Sequence, residues 1–180
     1  KLRRTHMIEF MKENGFSEDM ANAELDRFAS VYGLEVRGLT KEMNIRGELL
    51  RKLAYPYPGS INLIRKDIEL KELLKKLKGR KVCLTNGNAD HAKEILTKLG
   101  IINSFEVIFH CDYEEEDFIA KPDKEVFLAV QNYLGVKPEQ ITFFDDLEIH
   151  IEAAKGLGWN AYKVESGITV AEILKTLVDN

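Results

Sequence analysis

From Lys81 onward the chain repeats one unit: a short, largely apolar run, a polar turn, then a stretch with helical periodicity. The runs are Val82-Cys83-Leu84, Val107-Ile108-Phe109, Ile141-Thr142-Phe143-Phe144 and Ala161-Tyr162-Lys163-Val164. Helical stretches follow over about 90–99, 123–134, up to Leu157, and 170–178. A strand with one wet face alternates apolar and polar residues. Strands that are apolar throughout belong to a parallel sheet covered on both faces. The fold class this pattern predicts is α/β, Rossmann-like, with helices on both faces of a parallel sheet.

Residues before Gly79 read differently. Ile8 and Met11 mark a helix ended by Asn14-Gly15. Ser17 is placed to cap a second helix that carries Met20, Leu25, Phe28 and Val31 and stops at Gly33. Thr40 is placed to cap a third, bearing Met43, Leu49, Leu50 and Leu53. Tyr55 to Gly59, with two prolines, breaks regular structure, and a further helix spans about Asp67 to Leu77. The expected organisation is a helical module with its connections over 1–78 and an α/β module over 79–180.

A net charge of −4 gives no basic excess, which argues against a nucleic-acid partner. No apolar stretch approaches the ~18 residues of a membrane span, and no signal peptide opens the sequence. Two cysteines, Cys83 and Cys111, form neither a CxxC pair nor a disulfide framework. Cys83, inside an apolar run, reads as a buried thiol. A reducing, cytoplasmic setting is the expectation. The start, Lys1-Leu2-Arg3-Arg4, reads as processed, trimmed or incompletely recorded.

In open α/β sheets ligands bind beyond the carboxyl ends of the strands. Thr85-Asn86-Gly87-Asn88 follows the first run and offers a hydroxyl and backbone N–H groups to an anion. Taken alone it is a strand-to-helix turn, with Asn88 or Asp90 as helix cap. His110-Cys111-Asp112-Tyr113 follows the second run and has no metal-ligand spacing. Lys121 precedes Pro122 and a helix that Asp123 is placed to cap, so a cation stands near a helix start. Alone it reads as a surface lysine. Asp145-Asp146 follows the third run. Two adjacent carboxylates repel unless solvated or matched by a cation, and hard oxygen ligands suit Mg²⁺.

These three features, in this order on one rim, resemble the haloacid dehalogenase superfamily. Leu84-Thr85-Asn86 resembles its second motif, Lys121-Pro122 its third and Asp145-Asp146 its fourth. Thr85 to Ala92, Phe118 to Pro122, and the segment Tyr32 to Leu39 resemble the pyrimidine 5′-nucleotidase group within it. The resemblance implies that the helical module is a cap over the active site. It implies that Thr85, Asn86, Gly87 and Lys121 bind phosphate, and that Asp146 binds Mg²⁺ with Asp145 supporting it. The implied activity is Mg²⁺-dependent hydrolysis of a small phosphomonoester, such as a nucleoside 5′-monophosphate, through an aspartyl-phosphate. Arg37, Arg46 and Tyr55 are candidates, by position only, for contacts to the leaving group.

Two departures stand out. His150 lies where the family usually has Asn or Asp. The family's Asp-x-Asp-x-Thr, whose first Asp is the nucleophile and second the general acid/base, occurs nowhere in the 180 residues. In the family that motif ends a strand lying between the strands that end at Thr85 and Asp145. The strand is expected upstream of this chain, or from a second chain, or else the sheet is rebuilt without it. Strands in a sheet sit ~4.8 Å apart, so a missing one leaves about twice that between its neighbours. The alternative reading is a catalytically inactive descendant that binds a phosphorylated ligand or a protein. A receiver domain is disfavoured because its acids precede its Thr and Lys. Dehalogenation, which needs no metal, is disfavoured by Thr85 and the acid pair.

Overall fold

In the computed structural model the described residues are 4–55, 60–115 and 117–178. The expected break at Tyr55 to Gly59 falls largely outside them. The first four helices are α1 (Thr5–Glu13), α2 (Glu18–Tyr32), α3 (Glu35–Met43) and α4 (Gly47–Ala54). Ser17 caps α2 as expected, its hydroxyl accepting from Met20 N at 3.2 Å. Thr40 does not cap. It lies inside α3, buried, and its hydroxyl donates to Val36 O at 3.0 Å. The third predicted helix is two helices, because Asn44 turns left-handed (φ 54°) after Met43.

The helical cluster is packed by Met11, Leu25, Phe28, Leu39 and Leu50, each at most 1% exposed. On α2 the buried face is Ala21, Leu25 and Phe28, while Met20 and Val31 of the predicted stripe face solvent. Close approach of α2 and α3 depends on Gly38: a Cβ there would lie 1.9 Å from Phe28 Cγ.

The remaining elements alternate. They are α5 (Ile68–Lys76), β1 (Val82–Leu84), α6 (Ala89–Leu99), β2 (Val107–Phe109), α7 (Lys124–Leu134), β3 (Thr142–Asp145), α8 (Glu148–Gly156), β4 (Asn160–Lys163) and α9 (Val170–Val178). Every predicted strand forms. Of the two candidate caps for α6 it is Asn88 that acts, accepting from His91 N at 2.8 Å.

The strands make two parallel pairs, β1–β2 and β3–β4, and among the described residues no backbone ladder joins them. Both pairs pack into the same apolar layers. Phe143 of β3 shares one cluster with Val82, Leu84 and Phe109. Phe144 shares the other with Cys83 and Ile108. In a strand, a residue's N–H and C=O point to one side and its neighbours' to the other. Thr85 N bonds Phe109 O on β2, so the polar groups of Val82 and Leu84 face away from β2. Asn160 N and Val164 N bond Ile141 O and Asp145 O, so those of Thr142 and Phe144 face away from β4. All three residues of β1 are only half-buried, Cys83 included, and the thiol that is truly buried is Cys111 at 3% exposure. An open strand edge accounts for this: among the described residues no strand pairs with the side of β1 opposite β2, where Lys121 Nζ reaches Leu84 O.

The apolar clusters join segments from the two halves of the chain. Leu73 and Leu74 of α5 pack with Leu96, Ala171 and Leu174, so α5 covers the α/β sheet. Cys111, Tyr113, Phe118 and Ala120, from the connection between β2 and α7, are embedded in the helical cluster. Among the described residues no helix is long and apolar enough to cross a membrane.

Candidate active site

The strand ends bring Thr85, Asn86, Lys121 and Asp145 together on one rim. Lys121 is only 6% exposed, which overturns its reading as a surface lysine. Its Nζ donates to Leu84 O at 3.0 Å and to Asp145 Oδ2 at 2.5 Å. One ammonium thus bridges the end of β1 and the end of β3, across the unpaired edges.

Asn86 fixes the lysine from behind. Its side-chain Nδ2 donates to Lys121 O and its Oδ1 accepts from Lys121 N, both at 2.8 Å. The carboxamide therefore clamps the Lys121 backbone, a role that the sequence pattern did not disclose. Tyr113 OH in turn donates to Asn86 O. Thr85 Oγ1 accepts from Gly87 N at 2.9 Å, and Cys111 N donates to Gly87 O at 3.1 Å. Gly87 thus has its N–H engaged within the turn, whereas the Thr85 O–H hydrogen remains for a further acceptor.

Helix α3 reaches the same loop. Arg37 Nη1 donates to Asp123 Oδ1 at 2.9 Å, and Nη2 pairs with Oδ2. Asp123 also accepts from Ala120 N at 3.2 Å, so it does not cap α7 with its side chain as expected. Gly33, at φ +71°, abuts Pro122: a Cβ there would lie 2.5 Å from Pro122 Cδ. The helical cluster and the α/β module are therefore fastened together at Pro122 and Asp123, immediately after Lys121. Of the other positional candidates, Arg46 bonds Asn44 and Tyr55 lines a cleft of about 940 Å³ between α1, α4 and the turns after β1 and β2.

Asp145 is nearly saturated. Oδ1 accepts from Leu147 N and from His150 Nδ1, each at 2.9 Å, and Oδ2 accepts from Lys121. Burial pushes this carboxyl up, but the His150 hydrogen bond and the Lys121 charge outweigh it and hold it below the usual carboxylate range. Asp146 is exposed. Of the expected metal pair, then, Asp146 has the open carboxylate and Asp145 is committed to its neighbours. Among the described residues no group of three or more His, Cys, Asp or Glu forms a ready-made metal site. One free carboxylate still suits Mg²⁺, which usually keeps waters and takes one or two carboxylates plus substrate phosphate.

A parallel α/β module packed with a helical cluster thus carries a polar turn, a buried lysine and an acid pair on one rim. The chain belongs to the haloacid dehalogenase-like hydrolase family, which it matches over residues 7–158. It is 31% identical over 163 residues to phosphate metabolism protein 8 of Saccharomyces cerevisiae, covering 83% of this chain and 50% of that protein. It is 30% identical over 99 residues to a phosphorylated carbohydrates phosphatase of Thermotoga maritima, covering 53% of this chain and 44% of that protein. The chain thus spans about half the length of the curated relatives it matches. Its fold matches that of a family enzyme from Bacteroides thetaiotaomicron, solved as an aspartate-to-alanine variant with magnesium and inorganic phosphate. The TM-score is 0.53 at 24% identity, covering 96% of this chain and 92% of that one.

Proposed function

We propose that this rim serves a Mg²⁺-dependent phosphomonoester hydrolase acting on a small phosphorylated metabolite, with nucleoside 5′-monophosphates among its substrates. The observation that carries the reading is the placement of Lys121, which is buried, paired with Asp145 and set beside Thr85 at the mouth between the two strand pairs. Phosphoryl transfer asks the protein mainly for positioning and for charge to offset the equatorial oxygens. Thr85 donates its O–H to the phosphoryl group, and Lys121 balances charge there. Asp146 holds Mg²⁺, which when bound neutralises phosphate charge. Asp145 keeps Lys121 oriented.

The attacking carboxylate comes from an Asp-x-Asp strand lying between β1 and β3, and the second Asp protonates the leaving oxygen. The polar groups of Val82, Leu84, Thr142 and Phe144 face that place. The name of the Thermotoga relative, a phosphorylated carbohydrates phosphatase, supports phosphate over halide chemistry.

With the Asp-x-Asp strand present, the protein is expected to hydrolyse p-nitrophenyl phosphate and UMP only with Mg²⁺. Asp146→Ala is expected to lower kcat/KM on the order of 10²-fold or more. Turnover that is insensitive to EDTA and to Asp146→Ala would remove the metal assignment. Sugar phosphates in the same panel rank the substrate class.

A further inference from the structure

One buried side chain for which that chemistry leaves no role is His150. It is 3% exposed, and its ring sits in the first turn of α8. Nδ1 lies 2.9 Å from Asp145 Oδ1. Nε2 is buried and has no hydrogen-bond partner among the described residues. A carboxylate only accepts, so Nδ1 carries the hydrogen of this bond. In the neutral ring Nε2 is then bare. A buried polar atom without a partner is costly, and its retention calls for a gain elsewhere.

The gain is at Asp145. Its two oxygens take three donors from three directions: Lys121 Nζ, Leu147 N and His150 Nδ1. Lys121 fixes Oδ2 and Leu147 lies on the same turn as Asp145, so the ring is the donor from the helix that fixes how the carboxylate is rotated. Rotation of Asp145 would carry Oδ2 away from Lys121 and release the Leu147 N bond that closes the turn holding Asp146. We propose that His150 is a positioning residue: through Nδ1–H it locks the Asp145 carboxylate, and thereby sets Lys121 and Asp146 for phosphate and Mg²⁺. The activity arm of its test rests on the phosphoryl-transfer reading above; the metal-binding arm does not.

The test uses covalent reach. An asparagine amide nitrogen and His Nδ1 both stand two bonds from Cβ, whereas a glutamine amide nitrogen matches Nε2. His150→Asn is expected to keep Mg²⁺ affinity, by calorimetry with the metal alone, and kcat within about threefold. His150→Gln and His150→Leu are expected to lose 10–100-fold in Mg²⁺ affinity and in kcat, the usual range for a group that orients a ligand, while KM changes little. The Asn and Gln variants decide the matter even where Leu fails to fold.

Equal loss in Asn and Leu, or retention in Gln but not Asn, would overturn the proposal, because the acting atom would not be Nδ1. So would variants that melt earlier yet keep full kcat and Mg²⁺ affinity. A parent protein that binds Mg²⁺ but hydrolyses no phosphomonoester would sink the phosphatase reading, and the affinity series would still decide the role of His150.

Discussion

Lys121→Met is expected to destabilise the folded protein by about 3–5 kcal/mol, the usual cost of leaving a buried charge without its partner. Lys121 and Asp145 have side chains only 7% exposed, and 2.5 Å separates them. Removing the ammonium strands the carboxylate. Asp145→Asn strands the ammonium but keeps an oxygen for His150 and Leu147. The double variant removes both charges and is expected to recover much of the loss, with a coupling of roughly 2–3 kcal/mol in urea titrations. Additive single effects would mean that the pair is not coupled.

The pH dependence follows the same pair. Because the folded-state pKa of Asp145 is depressed, the group contributes stability fully above its unfolded value of ~3.9, and that contribution is lost as pH falls below it. Asp145→Asn is expected to lack this part of the acid loss. The same ammonium stands at the rim proposed to receive phosphate.

The second large effect concerns the edges between the strand pairs. The amides of Val82, Leu84, Thr142 and Phe144 are expected to exchange quickly with solvent in this chain. They are expected to slow by orders of magnitude when a strand lies between β1 and β3. Exchange reports opening energies from near zero to the global value, so the range is wide. The amides of Thr85, Asn160 and Val164 are bonded within the existing pairs and serve as internal controls, slow in both states. Similar rates for the four edge amides with and without the strand would show that the gap is not its place.

Much of this architecture was legible in the sequence because it rests on local pattern. Largely apolar runs gave the four strands, and glycines and polar caps bounded most helices. Thr85, Lys121 and Asp145 could be named because their order along the strand ends resembles the family's motifs; taken singly, Thr85 reads as part of a turn and Lys121 as a surface lysine. What depended on long-range packing was not legible. Nothing local shows that the Asn86 carboxamide grips the backbone of a residue 35 positions away, or that Arg37 reaches Asp123. The connection after β2 reads as plain, yet its Cys111, Tyr113, Phe118 and Ala120 are embedded in the helical cluster, which no local periodicity announces. Thr40 and Asp123 are good caps by residue type, and each found a stronger partner instead. The resemblance already sets Asp146 as the metal ligand with Asp145 in support, but nothing local names the three donors that surround Asp145.

The most direct test of the account is phosphate release from p-nitrophenyl phosphate by the strand-bearing protein, with the first Asp of Asp-x-Asp intact or replaced by Asn. The account predicts Mg²⁺-dependent turnover in the intact protein and none above background in the Asn variant or in Lys121→Met. Undiminished turnover in the Asn variant, or none in an intact protein whose four edge amides are protected, would contradict it.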